Sequence, residues 1–187
     1  MSDRFRSSSA LIGGLASLCM ACAATPETVP VQTVETAAEH ASRFDVMMEA
    51  MAADVDARLE AGIPVPVPVD AGGGYTHEQH KQNAKTVYEA GRLYQQTGEA
   101  KYLDAVRDIL FDYAYLYPTL GIHPEQRSSN KGKLFWQGLN EAWWLVYVIQ
   151  GYEVVRPDLS DRDRNRIESG VLNPMADFLS TGSPQTF

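Results

Sequence analysis

The chain has 187 residues, 44% hydrophobic and 10% aromatic, with a formal net charge of −8. This composition supports a buried core and excludes a disordered chain, while the acidic balance has the wrong sign for a general nucleic-acid binder. The 2 cysteines cannot staple a fold, no Cys/His cluster has zinc spacing, and no apolar run reaches the ~18 residues of a transmembrane helix.

Residues 1–24 read as an export signal. Arg4 and Arg6 precede an uncharged stretch from Ala10 to Ala24 that is rich in small residues. Ala21-Cys22-Ala23 fits small-x-small cleavage. A lipid anchor on Cys22 competes with it, although Cys19 stands where lipoprotein signals usually carry leucine. The destination implied is periplasmic or secreted, with no transmembrane segment. Residues 25–36 (TPETVPVQTVET) form an aperiodic Pro/Thr/Val linker.

Helical spacing begins after the linker. Phe44, Met47, Met48, Met51, Val55 and Leu59 recur every three or four residues, predicting a helix over 37–61 that Gly62 ends. Pro64, Pro66 and Pro68 then forbid a helix and favour an extended path into Gly72-Gly73-Gly74. Thr76-His77-Glu78-Gln79 has the capping-box pattern, with Thr76 as N-cap, and opens a second helix that closes at Gly98. A third runs from about Ala100 to Tyr117, where Pro118 stops it. After a polar loop, a fourth helix is expected over Leu134–Val155, apolar almost all round and therefore central. Ser160 caps a fifth, about 161–179, with a break expected at Pro174. No strand is expected after the linker. The chain reads as all-α, built of antiparallel helical hairpins.

Three features bear on chemistry. In His77-Glu78-Gln79-His80 the histidines are three apart, so the metalloprotease helix with its four-residue spacing is absent. A two-histidine metal pair, ligand-facing polar groups and plain helix punctuation all fit that pattern, and no metal or cofactor is assigned. Gln137, Asn140, Glu141 and Trp144 follow i, i+3, i+4, i+7 spacing on an otherwise apolar helix. Such residues need partners, either neighbouring helices in a buried polar network or a ligand. Amides and a carboxylate beside aromatic rings suit a sugar cleft. Lastly, the loop 121–133 carries Arg127, Lys131 and Lys133 against Glu125 alone, a local positive patch that fits an anionic ligand or plain solvation.

The stretches GGGYTHEQHKQN (72–83), HPEQRSSNKGKLFWQGLNEAWWLVYVIQGY (123–152) and NPMADFLS (173–180) closely resemble alginate lyases. The best match is the family 17 polysaccharide lyases, the oligoalginate exolyases, and the resemblance covers about Ala61 to Phe187. It implies an N-terminal α/α toroid followed by a large C-terminal antiparallel β domain. The implied reaction is β-elimination on a uronate polymer, leaving an unsaturated sugar at the new non-reducing end. Alginate oligosaccharides are the implied partner, and nucleic acid is not.

Such a reaction needs donors that neutralise the uronate carboxylate, a base for the C5 proton, and an acid for the leaving oxygen. In the family, a neutralising Asn-His pair follows shortly after the segment resembling SPQTF, with the catalytic Tyr and a further His later. This sequence has no Asn-His dipeptide, and its histidines are His40, His77, His80 and His123, so the catalytic residues are unknown. Tyr75, His77, Gln137, Asn140, Glu141 and Trp144 are the candidate substrate-binding residues by position. The expectation is a partial α/α toroid over 37–187, truncated before the ring closes and before the β domain. The competing expectation is a non-catalytic uronan-binding or structural helical module.

Overall fold

The computed structural model describes residues 37–125 and 130–182; the predicted signal (1–24) and linker (25–36) lie outside them. α1 spans Ala37–Ala61, α2 Tyr75–Thr97, α3 Ala100–Leu116 and α4 Gly138–Val155. The last stretch is one winding rod of four pieces: α5 (Asp161–Ile167), a π-turn (Glu168–Leu172), α6 (Asn173–Asp177) and a second π-turn (Phe178–Gly182). Among the described residues there is no β-strand, and the fold is all-α as expected.

The boundaries follow local chemistry. Gly62 and Gly98 end α1 and α2 in the left-handed region, at φ 80° and 68°, a conformation that residues with a Cβ avoid. Gly98 also donates its N–H to the Tyr94 carbonyl (2.8 Å). The Ser160 hydroxyl accepts from the Asp163 amide (3.2 Å), so the predicted N-cap of α5 holds.

Pro174 was expected to break the last helix, and it does not. The preceding π-turn changes the hydrogen-bond register, and proline then occupies the first turn of α6, where no N–H is required of it. α4 also starts later than predicted, at Gly138 rather than Leu134. Residues 131–137 carry no helix of their own.

Two hairpins stand side by side in two layers. α2 and α3 run antiparallel, as do α4 and the α5–α6 rod, which meet where the Tyr152 hydroxyl donates to Glu168 (2.8 Å). Across the hairpins the helices are parallel. Tyr88 meets Tyr147 and Gly91 meets Gly151 between α2 and α4, while Phe111 meets Arg166 and Ala114 meets Gly170 between α3 and the rod. This is the toroid-like arrangement anticipated from the sequence, with α2 and α4 in one layer and α3 and the rod in the other.

The α2–α4 crossing is backbone on backbone. A Cβ added at Gly151 would lie 2.2 Å from the Val87 carbonyl oxygen, and one at Gly91 would lie 2.6 Å from the Gly151 Cα. Around it Val87, Leu93, Trp144, Val148 and Tyr152 are enclosed, each worth roughly 1.5–3 kcal/mol of burial. α1 lies antiparallel on α2. Arg58 fastens it by bonds to Thr86 Oγ1 (2.6 Å) and Glu89 Oε2 (2.5 Å), beside the buried Val55.

α4 is not enclosed on all sides. Leu139 and Val146 are 70% and 57% exposed, and Trp143 and Ile149 continue the same stripe at 36% and 38%. The apolar circumference read from the sequence is therefore only half used among the described residues.

Candidate functional site

The parallel run of α2 and α4 brings both N-termini to one end of the bundle, where α3 finishes and the segment 120–137 passes. The entry to α2 departs from the predicted capping box. Its N-cap is Gly74, in extended conformation without a side-chain cap bond. Thr76, one turn-position inside, is instead clasped by Asp70: its N–H and hydroxyl donate to Asp70 Oδ2 (2.9 and 3.1 Å), and its oxygen accepts from the Asp70 amide (3.0 Å). The Gly73 amide donates to Glu78 Oε1 (3.1 Å), and Gln79 turns to Asn83 (2.8 Å). The positive end of this helix is thus already answered by two of the chain's own carboxylates.

Behind that entrance lies a buried polar cluster. His80 Nδ1 sits 2.8 Å from the Tyr113 hydroxyl, to which Asn83 Nδ2 donates at 3.0 Å while also donating to the Pro64 carbonyl (2.9 Å). Because Asn83 supplies a donor to that hydroxyl, the phenolic proton goes to His80 Nδ1, and the ring carries its own proton on Nε2. His123 favours the same tautomer, since the Glu125 amide donates to its Nδ1 at 3.0 Å while the Glu125 carbonyl oxygen stands farther off at 3.4 Å. His77 and His80 both turn their rings edge-on to Phe135, at 5.1 and 5.9 Å between centroids. All three histidines are buried.

Burial disfavours the imidazolium in each case. It lowers the pKa of His77 and His123 and, with a smaller contribution from neighbouring His77 and His123, brings that of His80 down to about 4. Burial likewise raises the Tyr113 and Tyr117 phenols above their ordinary value.

What sets this end apart is its surplus of donors. His80 Nε2, His123 Nε2, Trp136 Nε1 and Trp144 Nε1 are buried without a partner, as is His77 Nδ1. Trp144 packs its ring on Tyr113 (4.6 Å) and approaches the phenol oxygen without reaching hydrogen-bond geometry. With the tautomers above, four of these five atoms bear N–H. Buried polar groups are ordinarily paired, so the end is built to receive acceptors, whether water or a ligand's oxygens. Gly72 borders the cluster: a Cβ there would lie 3.6 Å from Trp136 Nε1 and 3.9 Å from His77 Nε2.

The sequence-nominated residues divide between inside and outside. Tyr75 is 63% exposed, Gln137 and Asn140 are half-buried, and His77, Glu141 and Trp144 are enclosed. Gln137 does not share a helical face with the others, because it is the extended N-cap of α4 (φ −138°, ψ 143°). Glu141 has both oxygens engaged, Oε1 accepting from the Tyr117 hydroxyl (2.8 Å) and Oε2 from the Lys133 amide (2.7 Å).

Sequence reasoning missed Tyr113, Tyr117, Asn83 and Trp136. The two tyrosines were indistinguishable from the apolar stripe of α3, since only the fold shows what their hydroxyls meet. Among the described residues no group of three or more metal-ligating side chains could hold an ion.

No family model matches the chain. It is 50% identical over 162 residues to an exo-oligoalginate lyase of Saccharophagus degradans, a match covering 85% of this chain and 22% of that protein. It is 57% identical over 121 residues to an alginate lyase of Stenotrophomonas maltophilia, covering 65% of this chain and 16% of the relative. The chain therefore spans about a fifth of the length of these curated relatives. Over the segment they share, at 50% and 57% identity, the chain is a homologue of the alginate lyases.

Proposed function

We propose that this chain forms part of an exported alginate lyase of the family 17 type, and that the donor-rich end of the α2–α4 layer contributes to its oligouronate cleft. The observation that carries the proposal is the 50–57% identity to proteins named exo-oligoalginate lyase and alginate lyase. The site chemistry supports it. A uronate brings a carboxylate and several hydroxyl oxygens, all acceptors, to an end with unpaired N–H groups on His80, His123, Trp136 and Trp144. Tyr75, Gln137 and Asn140 are the nominated residues with surface to offer a sugar ring, and His77 lies just beneath.

The elimination itself requires a base at C5, a neutralised carboxylate and an acid at the leaving oxygen. We assign none of these to the described residues. Tyr113, Tyr117, His80 and His123 are enclosed, and burial holds the phenols protonated and the imidazoles neutral. The same reading includes residues 1–24 as an export signal, with Cys22 as the lipid-anchor alternative, and a periplasmic or secreted destination.

The test is incubation of the 187-residue chain, and of a parent extended to the length of the relatives, with oligoalginate while following ultraviolet absorbance of the unsaturated product. Product from the extended protein supports the proposal, and absence of product from both refutes it. The enclosure of the His80–Tyr113 pair and of Tyr117 favours a second reading for this chain alone, a uronan-binding helical module without activity. Calorimetry with oligoalginate on the folded 187-residue chain separates the two: binding without turnover supports the module.

A further inference from the structure

Glu141 looks like a sugar contact in the sequence, yet it has no exposed surface. We propose that Glu141 is a positioning residue whose carboxylate clamps the 130–137 segment against α3 and α4, and so shapes that wall of the cleft. The proposal rests on reading this end as a uronate site.

The segment is fixed at several points. Its ends are tied by the His123 amide to the Gly132 carbonyl (2.9 Å) and the Gly138 amide to the Asn130 carbonyl (3.0 Å). Between those ties there is no helix. The Lys133 amide donates to Glu141 Oε2 (2.7 Å), and the Leu134 amide lies near enough to the same carboxylate to help hold its pKa down. The other oxygen takes the Tyr117 hydroxyl (2.8 Å) at the end of α3. One buried carboxylate thus joins the loop, the end of α3 and the first turn of α4.

Two further features follow the same clamp. At Gly132 a Cβ would stand 2.4 Å from Glu141 Oε2 and equally close to the Phe135 carbonyl, so the backbone passes directly over the carboxylate. The Lys133 ammonium lies over the Tyr117 ring at 4.6 Å and near the Phe178 ring at 5.9 Å. The clamped segment also carries Phe135, against which His77 and His80 pack, and Trp136, with its unpaired N–H beside Gly72. Releasing the clamp should therefore loosen the histidine cluster without removing any group that faces solvent.

Hydrogen exchange and oligoalginate calorimetry on the 187-residue chain, with Glu141→Ala, Glu141→Gln and Tyr117→Phe, test this. Glu141→Ala should speed exchange at the Lys133 amide at least roughly tenfold and weaken oligoalginate binding by about the same factor. Glu141→Gln should recover most of both, because its oxygen still accepts a backbone amide and its nitrogen can donate to Tyr117. Unchanged exchange at the Lys133 amide in Glu141→Ala overturns the clamp, and a loosened segment with unaltered oligoalginate affinity overturns its part in shaping the cleft. If no variant, wild type included, binds oligoalginate while exchange follows the expected pattern, the uronate reading fails and the clamp stands. Should Glu141→Ala lose its helical circular dichroism, Tyr117→Phe carries the test. It keeps the Lys133 backbone bond, so faster exchange across 130–137 supports the clamp and unchanged exchange overturns it.

Discussion

Replacing Gly151 by alanine sets two physical terms against each other. In an exposed helix interior the substitution stabilises by about 1 kcal/mol, because glycine is the poorer helix former. In this fold the new Cβ would stand 2.2 Å from the Val87 carbonyl oxygen, 2.7 Å from its carbonyl carbon and 3.0 Å from the Tyr88 Cα. All three are backbone atoms of α2, which no rotamer change can move. Ordinary van der Waals contact lies near 3.5 Å, so α2 and α4 must separate by roughly 1 Å. A gap of that size forfeits a quarter to a half of each dispersion contact across it, and Val87, Val148, Trp144 and Tyr152 all pack along this seam.

Overpacking of this kind typically costs 1–3 kcal/mol and can cost more. The opposing propensity gain leaves Gly151→Ala destabilised by about 0–2 kcal/mol, or more where the seam cannot relax. Urea denaturation followed by circular dichroism reads this directly. Gly91→Ala probes the same crossing, with its Cβ 2.6 Å from the Gly151 Cα, so the double variant should lose less than the sum of the two singles. A midpoint that rises in Gly151→Ala would mean that the helices are not in backbone contact, and the parallel α2–α4 layer would be wrong.

Acid should weaken the fold through the histidine cluster. A pKa of about 4 for His80 in the fold against 6.5 when exposed means the unfolded chain binds the extra proton between those values. The stabilisation is complete above pH 6.5 and drains away toward pH 4, by at most about 3 kcal/mol for this residue. His77 and His123, also lowered by burial, act in the same direction. Glu141, raised by burial, acts in the opposite one, its contribution full below about pH 4.5 and fading as pH rises. Urea midpoints from pH 7.5 to 4.5 should fall in the wild type and flatten in His80→Asn, and an equal slope in both would refute the assignment. The bare stripe on α4 should make the 187-residue chain self-associate. Val146→Lys, at a position 57% exposed, should then shift sedimentation toward monomer with stability changed by less than ~0.5 kcal/mol. Sedimentation independent of concentration in the wild type counts against this.

Most of the helical frame was readable because single residues punctuate it. Gly62, Gly98 and Ser160 act through their own backbone or hydroxyl, within a few residues of where they stand, and the sequence names them correctly. The errors came where the deciding partner is remote in sequence. Leu134–Gln137 has helical spacing, yet the Lys133 amide just before it goes to Glu141, eight residues on, and α4 begins only at Gly138. Thr76 has the composition of a cap, yet Asp70 takes its amide and hydroxyl first. Pro174 is a breaker only while the preceding turn is α, and a π-turn is not visible in composition. The site shows the same limit. Sequence reasoning required that a carboxylate on an apolar helix find partners, but Tyr117, which supplies one, had been counted as a stripe residue.

The charge of this end follows from its topology. Two parallel helices direct two positive dipole ends toward the same place, which in isolation would invite an anion. α2 has spent that potential on Asp70 and Glu78, which take the Thr76 and Gly73 amides, and Glu141 occupies the first turn of α4. An anionic sugar would therefore find little unpaired backbone at the entrance to α2 and would have to be read by side-chain donors. Those are the atoms the cluster leaves over: Trp136 Nε1, Trp144 Nε1 and the Nε2 protons of His80 and His123. Neutral donors suit a ligand with many hydroxyls better than buried cations would, because they incur no desolvated charge. The lowered histidine pKa values have a consequence here as well as for stability. Burial lowers all three imidazoles below their ordinary value and so favours the neutral form, each with one donor, and the recognition they offer is hydrogen bonding rather than charge pairing. Affinity for a uronate at this end should accordingly depend only weakly on salt, as measured by calorimetry between 50 and 300 mM NaCl, whereas recognition dominated by lysine and arginine would weaken steeply over that range.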